Sequence, residues 1–155
     1  MSVAALLELY MAKGLRIATA ESCTGGMVSA AITDVAGSSA VFERGFVTYT
    51  NEAKIQMLGV QKDTLDALGA VSEEVAAQMA LGALANSEAD VAVAITGIAG
   101  PGGSDFKPEG RVCFALATKT GPVHTETVEF GAIGRDNVRA RSVQKSIDLL
   151  KSAAT

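Results

Sequence analysis

The sequence predicts an α/β fold: one mixed sheet with helices packed on both faces, in a single domain spanning residues 1–155. Three observations carry this. Helix-like and strand-like segments alternate in the order α-β-α-β-α-α-α-β-β-β-α, which mixes crossovers with a hairpin. The run from Val91 to Thr96 alternates valine and alanine before Ile95 and holds no charge, which suits a strand buried on both faces. A chain of 155 residues is long enough for one sizeable core.

Taken in chain order, the elements are justified one by one. Val3 to Met11 carries Leu6, Leu7, Tyr10 and Met11 at helical spacing, and Gly14 is placed to end that helix. Arg16 to Ala20 reads as a short strand. Gly25-Gly26 breaks the chain, and Met27 to Val35 resumes helical spacing through Met27, Ala31 and Val35. Val41 to Thr50 is strand-like, with Phe42, Phe46, Val47 and Tyr49 as β-formers. Asn51 is a candidate cap for a short helix through Leu58, stopped by Gly59. A second short helix covers Thr64 to Leu68. Ser72 caps a longer one, with Glu73 and Glu74 in its first turn, where the helix dipole favours acids. After the strand at Val91 to Thr96 comes a glycine-rich loop, Gly97 to Gly110. Arg111 to Thr118 and Val123 to Phe130 read as two strands joined at Thr120-Gly121-Pro122. Arg135 to Ser152 is a basic amphipathic helix with Ala140, Val143, Ile147 and Leu150 toward the core.

Composition narrows the function classes. The net charge is −4, which argues against non-specific binding to nucleic acid or an anionic membrane, since both need a basic face. Five Phe, two Tyr and no Trp supply few stacking platforms for single strands. The uncharged run from Val91 to Ser104 is too short to span a bilayer and is broken by glycines and Pro101. No basic stretch precedes the first apolar residues and Glu8 interrupts them, which does not fit a signal peptide. Two cysteines cannot make a disulfide framework, and a single histidine argues against a Cys/His zinc site. A reduced, cytoplasmic domain is the expectation, with no metal.

Four segments could carry chemistry. Ala20-Glu21-Ser22-Cys23-Thr24-Gly25-Gly26 stands at a strand-to-helix transition, where open α/β sheets place ligands. Its glycines let backbone N–H groups approach an anion, Ser22 is a possible nucleophile and Thr24 a hydroxyl donor; a capped tight turn explains the same residues. Cys23 reads as a small core-facing residue, since a nucleophilic thiol usually needs a basic partner. In Tyr49-Thr50-Asn51-Glu52-Ala53-Lys54, Lys54 ends the first helical turn near Tyr49. A lysine can serve as base to a serine if its pKa is lowered; a solvated lysine is the plainer reading. Thr96-Gly97-Ile98-Ala99-Gly100-Pro101-Gly102-Gly103 follows the buried strand, so it should lie beside the first loop and offer Thr96 and free amides to a polar ligand; a mobile surface loop is the plainer reading. Arg135 can clamp a phosphate or carboxylate, or simply begin an exposed helix.

The stretches AESCTGG (20–26), GSSAVFERGFVTYTNEAKIQMLGV (37–60), GAVSEEVAAQMALGAL (69–84) and TGIAGPGG (96–103) resemble the CinA C-terminal domain family. The resemblance covers nearly the whole chain in order. Stand-alone members of that family are nicotinamide-nucleotide amidases, and the resemblance implies hydrolysis of nicotinamide mononucleotide to nicotinate mononucleotide and ammonia, in pyridine nucleotide recycling. It implies no metal or organic cofactor, a small-molecule nucleotide as partner, and a homo-oligomer, a dimer. The family's serine falls on Ser22, its tyrosine and lysine on Tyr49 and Lys54, its loop threonine on Thr96 and its late arginine on Arg135. Ser22 would attack the carboxamide carbon and Lys54 take its proton. Tyr49 would orient Lys54 or donate to the leaving ammonia. Backbone amides near Thr24, Gly25 and Gly26 would hold the oxyanion or the phosphate. Arg135 and the loop with Thr96, Gly97 and Gly100 would take the phosphate-ribose end, and Arg135 would help keep Lys54 neutral. The alternative is a non-catalytic nucleotide- or partner-binding module linked to competence or DNA damage.

Overall fold

The computed structural model describes residues 2–104 and 106–155; Met1 and Asp105, the latter inside the glycine-rich loop, lie outside the described residues. In chain order the elements are α1 (Val3–Lys13), β1 (Ile17–Glu21), α2 (Met27–Thr33), β2 (Phe42–Val47), α3 (Asn51–Leu58), α4 (Lys62–Leu68), α5 (Glu73–Ala85), β3 (Val91–Gly97), β4 (Arg111–Thr118), β5 (His124–Glu129) and α6 (Arg135–Ala153). The expected order and the mixed sheet are both present. A 3-10 turn at Ser38–Ala40 precedes β2, and the cap of α3 differs by one position. Thr50, not Asn51, caps it: the Thr50 hydroxyl accepts from the Ala53 N–H, and Asn51 is the first helical residue. Threonine can cap here because its side-chain oxygen, like that of asparagine, reaches an unpaired amide of the first turn.

The sheet order is β2-β1-β3-β4-β5. β1 pairs parallel with both β2 and β3, while β4 and β5 are antiparallel to their neighbours. The carboxyl ends of β2, β1 and β3 therefore share one rim, and the β4–β5 turn lies at the opposite end. The chain leaves β1 for β2 on one side and returns to β3 on the other. That reversal of strand order is where open α/β sheets bind ligands.

The valine–alanine alternation of β3 sorts residues by size between two layers. Val91, Val93 and Ile95 face α1, α2 and α6, packing with Leu6, Leu7, Val28, Ile32, Ile147 and Leu150. Ala92 and Ala94, with Ala18 and Ala20 of β1, face α5 and meet Val75, Ala76, Met79, Ala80 and Ala83. Small residues on both surfaces let α5 sit close to the sheet. The next layer is closer still. A Cβ on Gly82 of α5 would lie 1.9 Å from the Leu58 carbonyl oxygen, so α3 is drawn directly onto the α5 backbone. No helix among the described residues is long and apolar enough to cross a membrane.

Candidate active site

Each of the three parallel strands delivers one wall of a cavity. β1 ends at Glu21 opposite Val47 of β2 and Ile95 of β3, so Ser22, Thr48 and Thr96 emerge side by side. The Ser22 N–H continues the ladder to Ile95 O at 3.0 Å, and the Thr48 N–H does so to Glu21 O at 2.8 Å. The cavity measures about 330 Å³ and is lined by Ser22, Cys23, Tyr49, Asn51, Lys54, Ala70, Val71, the 96–102 loop and Arg135.

Lys54 forms its floor. It is 1% exposed, and its Nζ lies 3.0 Å from Ser22 Oγ, 3.0 Å from Thr48 O and 3.3 Å from Tyr49 O. Burial pushes the pKa of this amine below its ordinary value of 10.5. Two carbonyls are satisfied by two N–H bonds. A neutral amine has two such bonds and one lone pair, and the remaining neighbour of that lone pair is the serine hydroxyl. Desolvation is the largest cause of the shift. Arg135, expected to help, is not among the causes of the shift; its guanidinium donates from Nη1 to Gly100 O at 2.7 Å and from Nη2 to the Tyr49 hydroxyl at 3.0 Å.

The serine turn is built on a residue that the sequence alone did not single out. Glu21 ends β1 fully buried. Its Oε1 accepts from Thr24 Oγ1 at 2.6 Å, Gly26 N at 3.2 Å and Val28 N at 2.9 Å. Its Oε2 accepts from Ser29 N at 3.0 Å and Ser29 Oγ at 2.7 Å. A buried carboxylate with five donors, three of them amides at the start of α2, is well compensated. Gly25 and Gly26, at φ +57° and +105°, let the backbone reverse tightly enough for this closure.

These contacts narrow the expectation for Thr24, Gly25 and Gly26. The Thr24 hydroxyl donates to Glu21 and is fully buried, the Gly26 amide is bound to Glu21, and the Gly25 amide returns to Ser22 O at 3.0 Å. None of the three lines the cavity. Thr96 does line it, yet its hydroxyl donates to Ala70 O at 2.9 Å and so fixes the neighbouring wall. Gly97 and Gly100 contribute backbone to the same wall. Tyr49 holds Lys54 through its carbonyl, whereas its phenol, on a side chain 58% exposed, faces Arg135.

The family model of the CinA C-terminal domain matches residues 2–154. The chain belongs to the CinA C-terminal domain family. Nicotinamide-nucleotide amidohydrolase PncC of Escherichia coli K12 is 55% identical over 144 residues, covering 92% of this chain and 87% of that protein. A longer CinA-like protein of Chloroherpeton thalassium is 57% identical over 112 residues, which are 72% of this chain and 27% of that one. Among solved structures, the competence/damage inducible protein CihA of Agrobacterium tumefaciens superposes with a TM-score of 0.96 at 47% identity, covering 99% of this chain and 93% of that one. A CinA superfamily protein of Escherichia coli superposes with a TM-score of 0.91 at 41% identity, covering 96% and 86%.

Within this CinA-type domain, reasoning from sequence also missed Arg139. Its Nε donates to Cys23 O at 3.1 Å and its Nη2 to Thr24 O at 3.4 Å, so α6 holds the serine turn from the side opposite Glu21. The available signal was spacing: Arg135 and Arg139 are four apart on one helix and share a face. Cys23, read as core-facing, is buried, and burial raises its thiol to about 11.

Proposed function

We propose that this chain is a nicotinamide-nucleotide amidase. It hydrolyses the carboxamide of nicotinamide mononucleotide to nicotinate mononucleotide and ammonia, with Ser22 as nucleophile and Lys54 as its base. One observation carries the mechanism: a buried, pKa-lowered lysine amine in hydrogen-bond contact with a serine hydroxyl at the floor of a cavity. The substrate class is supported by the name of the 55% identical relative.

The steps come from the chemistry of a neutral amine. Lys54 Nζ accepts the Ser22 hydroxyl proton while Oγ adds to the carboxamide carbon. The carbonyl oxygen becomes an oxyanion, stabilised by amides of the serine turn. Lys54 returns its proton to the amide nitrogen, the C–N bond breaks, and ammonia leaves an acyl-serine. Water then adds to the ester carbon, Lys54 accepting its proton, and collapse releases the carboxylate and restores the serine. Arg135, at the open rim, keeps donors for the substrate phosphate beyond those it gives to Gly100 and Tyr49. No cofactor enters the scheme.

The test is ammonia release from nicotinamide mononucleotide, free nicotinamide and nicotinamide adenine dinucleotide, with wild type and Ser22→Ala side by side. Turnover of the mononucleotide that Ser22→Ala abolishes, with an acyl adduct on Ser22 by mass spectrometry, is expected. Near-normal turnover by Ser22→Ala removes the covalent mechanism. Nucleotide binding without turnover makes the domain a binding module instead.

A further inference from the structure

The backbone N–H groups of the serine turn can be traced one at a time. Ser22 donates to Ile95 O, Gly25 to Ser22 O, Gly26 to Glu21 Oε1 and Met27 to Thr24 O. Among the described residues, the N–H groups of Cys23 and Thr24 meet no oxygen acceptor, although both residues are buried. Both come directly after the serine. On the far side of the turn, the half-buried Arg139 holds the carbonyls of Cys23 and Thr24.

In a trans peptide the C=O and N–H point in opposite directions. The Thr24–Gly25 peptide obeys this: its carbonyl faces Arg139, and its N–H returns to Ser22 O. By the same rule the Ser22–Cys23 peptide, whose carbonyl accepts from the Gly25 N–H inside the turn, directs the Cys23 N–H out of the turn, on a residue that lines the cavity. We propose that Arg139 is a positioning residue: by gripping the carbonyls of Cys23 and Thr24 it holds the turn so that the Cys23 amide meets the carboxamide oxygen as that oxygen gains negative charge when Ser22 adds. The proposal deepens the amidase reading above and rests on it. An oxyanion donor held in place acts on the transition state alone, so the effect falls on kcat. Deleting a donor outright costs on the order of 10²–10³ in kcat; releasing one that stays nearby costs less, about 10–10².

The experiment compares wild type, Arg139→Ala and Arg139→Lys by two readouts. One is kcat and KM for ammonia release from nicotinamide mononucleotide. The other is the rate at which a phosphonofluoridate labels Ser22. In that label the Oγ–P bond forms as P–F breaks, fluoride leaves and Lys54 takes the proton. In Arg139→Ala, kcat falls while KM holds, labelling slows in parallel, and added guanidinium chloride at non-denaturing concentration restores both. Arg139→Lys, with one donor for Cys23 O, lies between. A raised KM at unchanged kcat overturns the proposal and makes Arg139 a nucleotide contact. So does full activity per folded molecule in Arg139→Ala, measured against its circular dichroism. If wild type releases no ammonia, the amidase reading falls and the labelling rates alone judge Arg139. Equal labelling of wild type and Arg139→Ala overturns the proposal while leaving the amidase intact. A wild type that neither turns over nor labels overturns both.

Discussion

Lys54 Nζ and Ser22 Oγ, thirty-two positions apart, meet at 3.0 Å because α3 begins where β2 ends and β2 ends beside β1. The acid limb of the pH profile is a consequence of this contact. The base must be neutral, so log kcat/KM falls as pH drops through the lowered Lys54 pKa, a break below the ordinary lysine value of 10.5. Lys54→Arg stays protonated and cannot serve as base, and loses on the order of 10²–10⁴ in kcat at every pH. Stability carries the same signature. Between the lowered pKa and about 10.5 the unfolded chain binds a proton that the native state does not. Native stability therefore rises with pH across that window and is lowest below it. Urea unfolding at pH 7 and pH 9.5 shows wild type gaining on Lys54→Met at the higher pH.

Tyr49 tests which of its two ends matters. Its carbonyl accepts from Lys54, and its phenol accepts from Arg135 at an exposed position. Tyr49→Phe keeps the first contact and loses one exposed hydrogen bond, about 1 kcal/mol, so kcat/KM falls by less than about tenfold. A far larger loss in kcat assigns the phenol to proton delivery at the leaving ammonia.

Gly82→Ala pits local propensity against packing. In a free helix the change gains about 1 kcal/mol. Here the added Cβ would stand 1.9 Å from Leu58 O, so α3 must move. Overpacking of this kind costs about 1–3 kcal/mol or more. Lys54 lies one turn before Leu58 on the same helix, so the expected result is a lower Tm together with a lower kcat. A Tm at or above wild type contradicts the close approach.

The two thiols are expected to be silent in the native protein. Cys23 and Cys113 are both buried, desolvation raises both, and Cys23 is pushed up to about 11. Near pH 8 almost none of Cys23 is thiolate, the form that reacts. Ellman's reagent should report no thiols per native chain and two after denaturation. Rapid native labelling with loss of turnover identifies Cys23 as accessible from the cavity.

The strands that build the rim were legible because their sequences are simple. The uncharged Val91–Thr96 run marks a central strand, and the breaks at Gly25-Gly26 and Gly97 mark the turns beyond the strand ends. That argument alone placed Ser22 and Thr96 next to each other. Lys54 needed more, since a lysine after a capped turn is usually solvated. Its burial brings it against Ser22, thirty-two positions away, a non-local contact with no trace in the local sequence around position 54. Glu21 was hidden for a related reason. A glutamate closing a strand reads as exposed until the turn behind it supplies five donors. Arg139 was one of several basic residues on a long helix, and only the fold reveals which of them faces the serine turn.

The antiparallel run of β4 has a practical corollary. It carries the chain from the cavity rim at Val112 to Thr118 at the other end of the sheet, and the turn through Thr120 and Gly121 hangs there, exposed. A peptide tag or fluorophore loop spliced at that tip stands a full strand length from the nucleophile. It offers a handle for immobilising or tracking the protein without touching its chemistry.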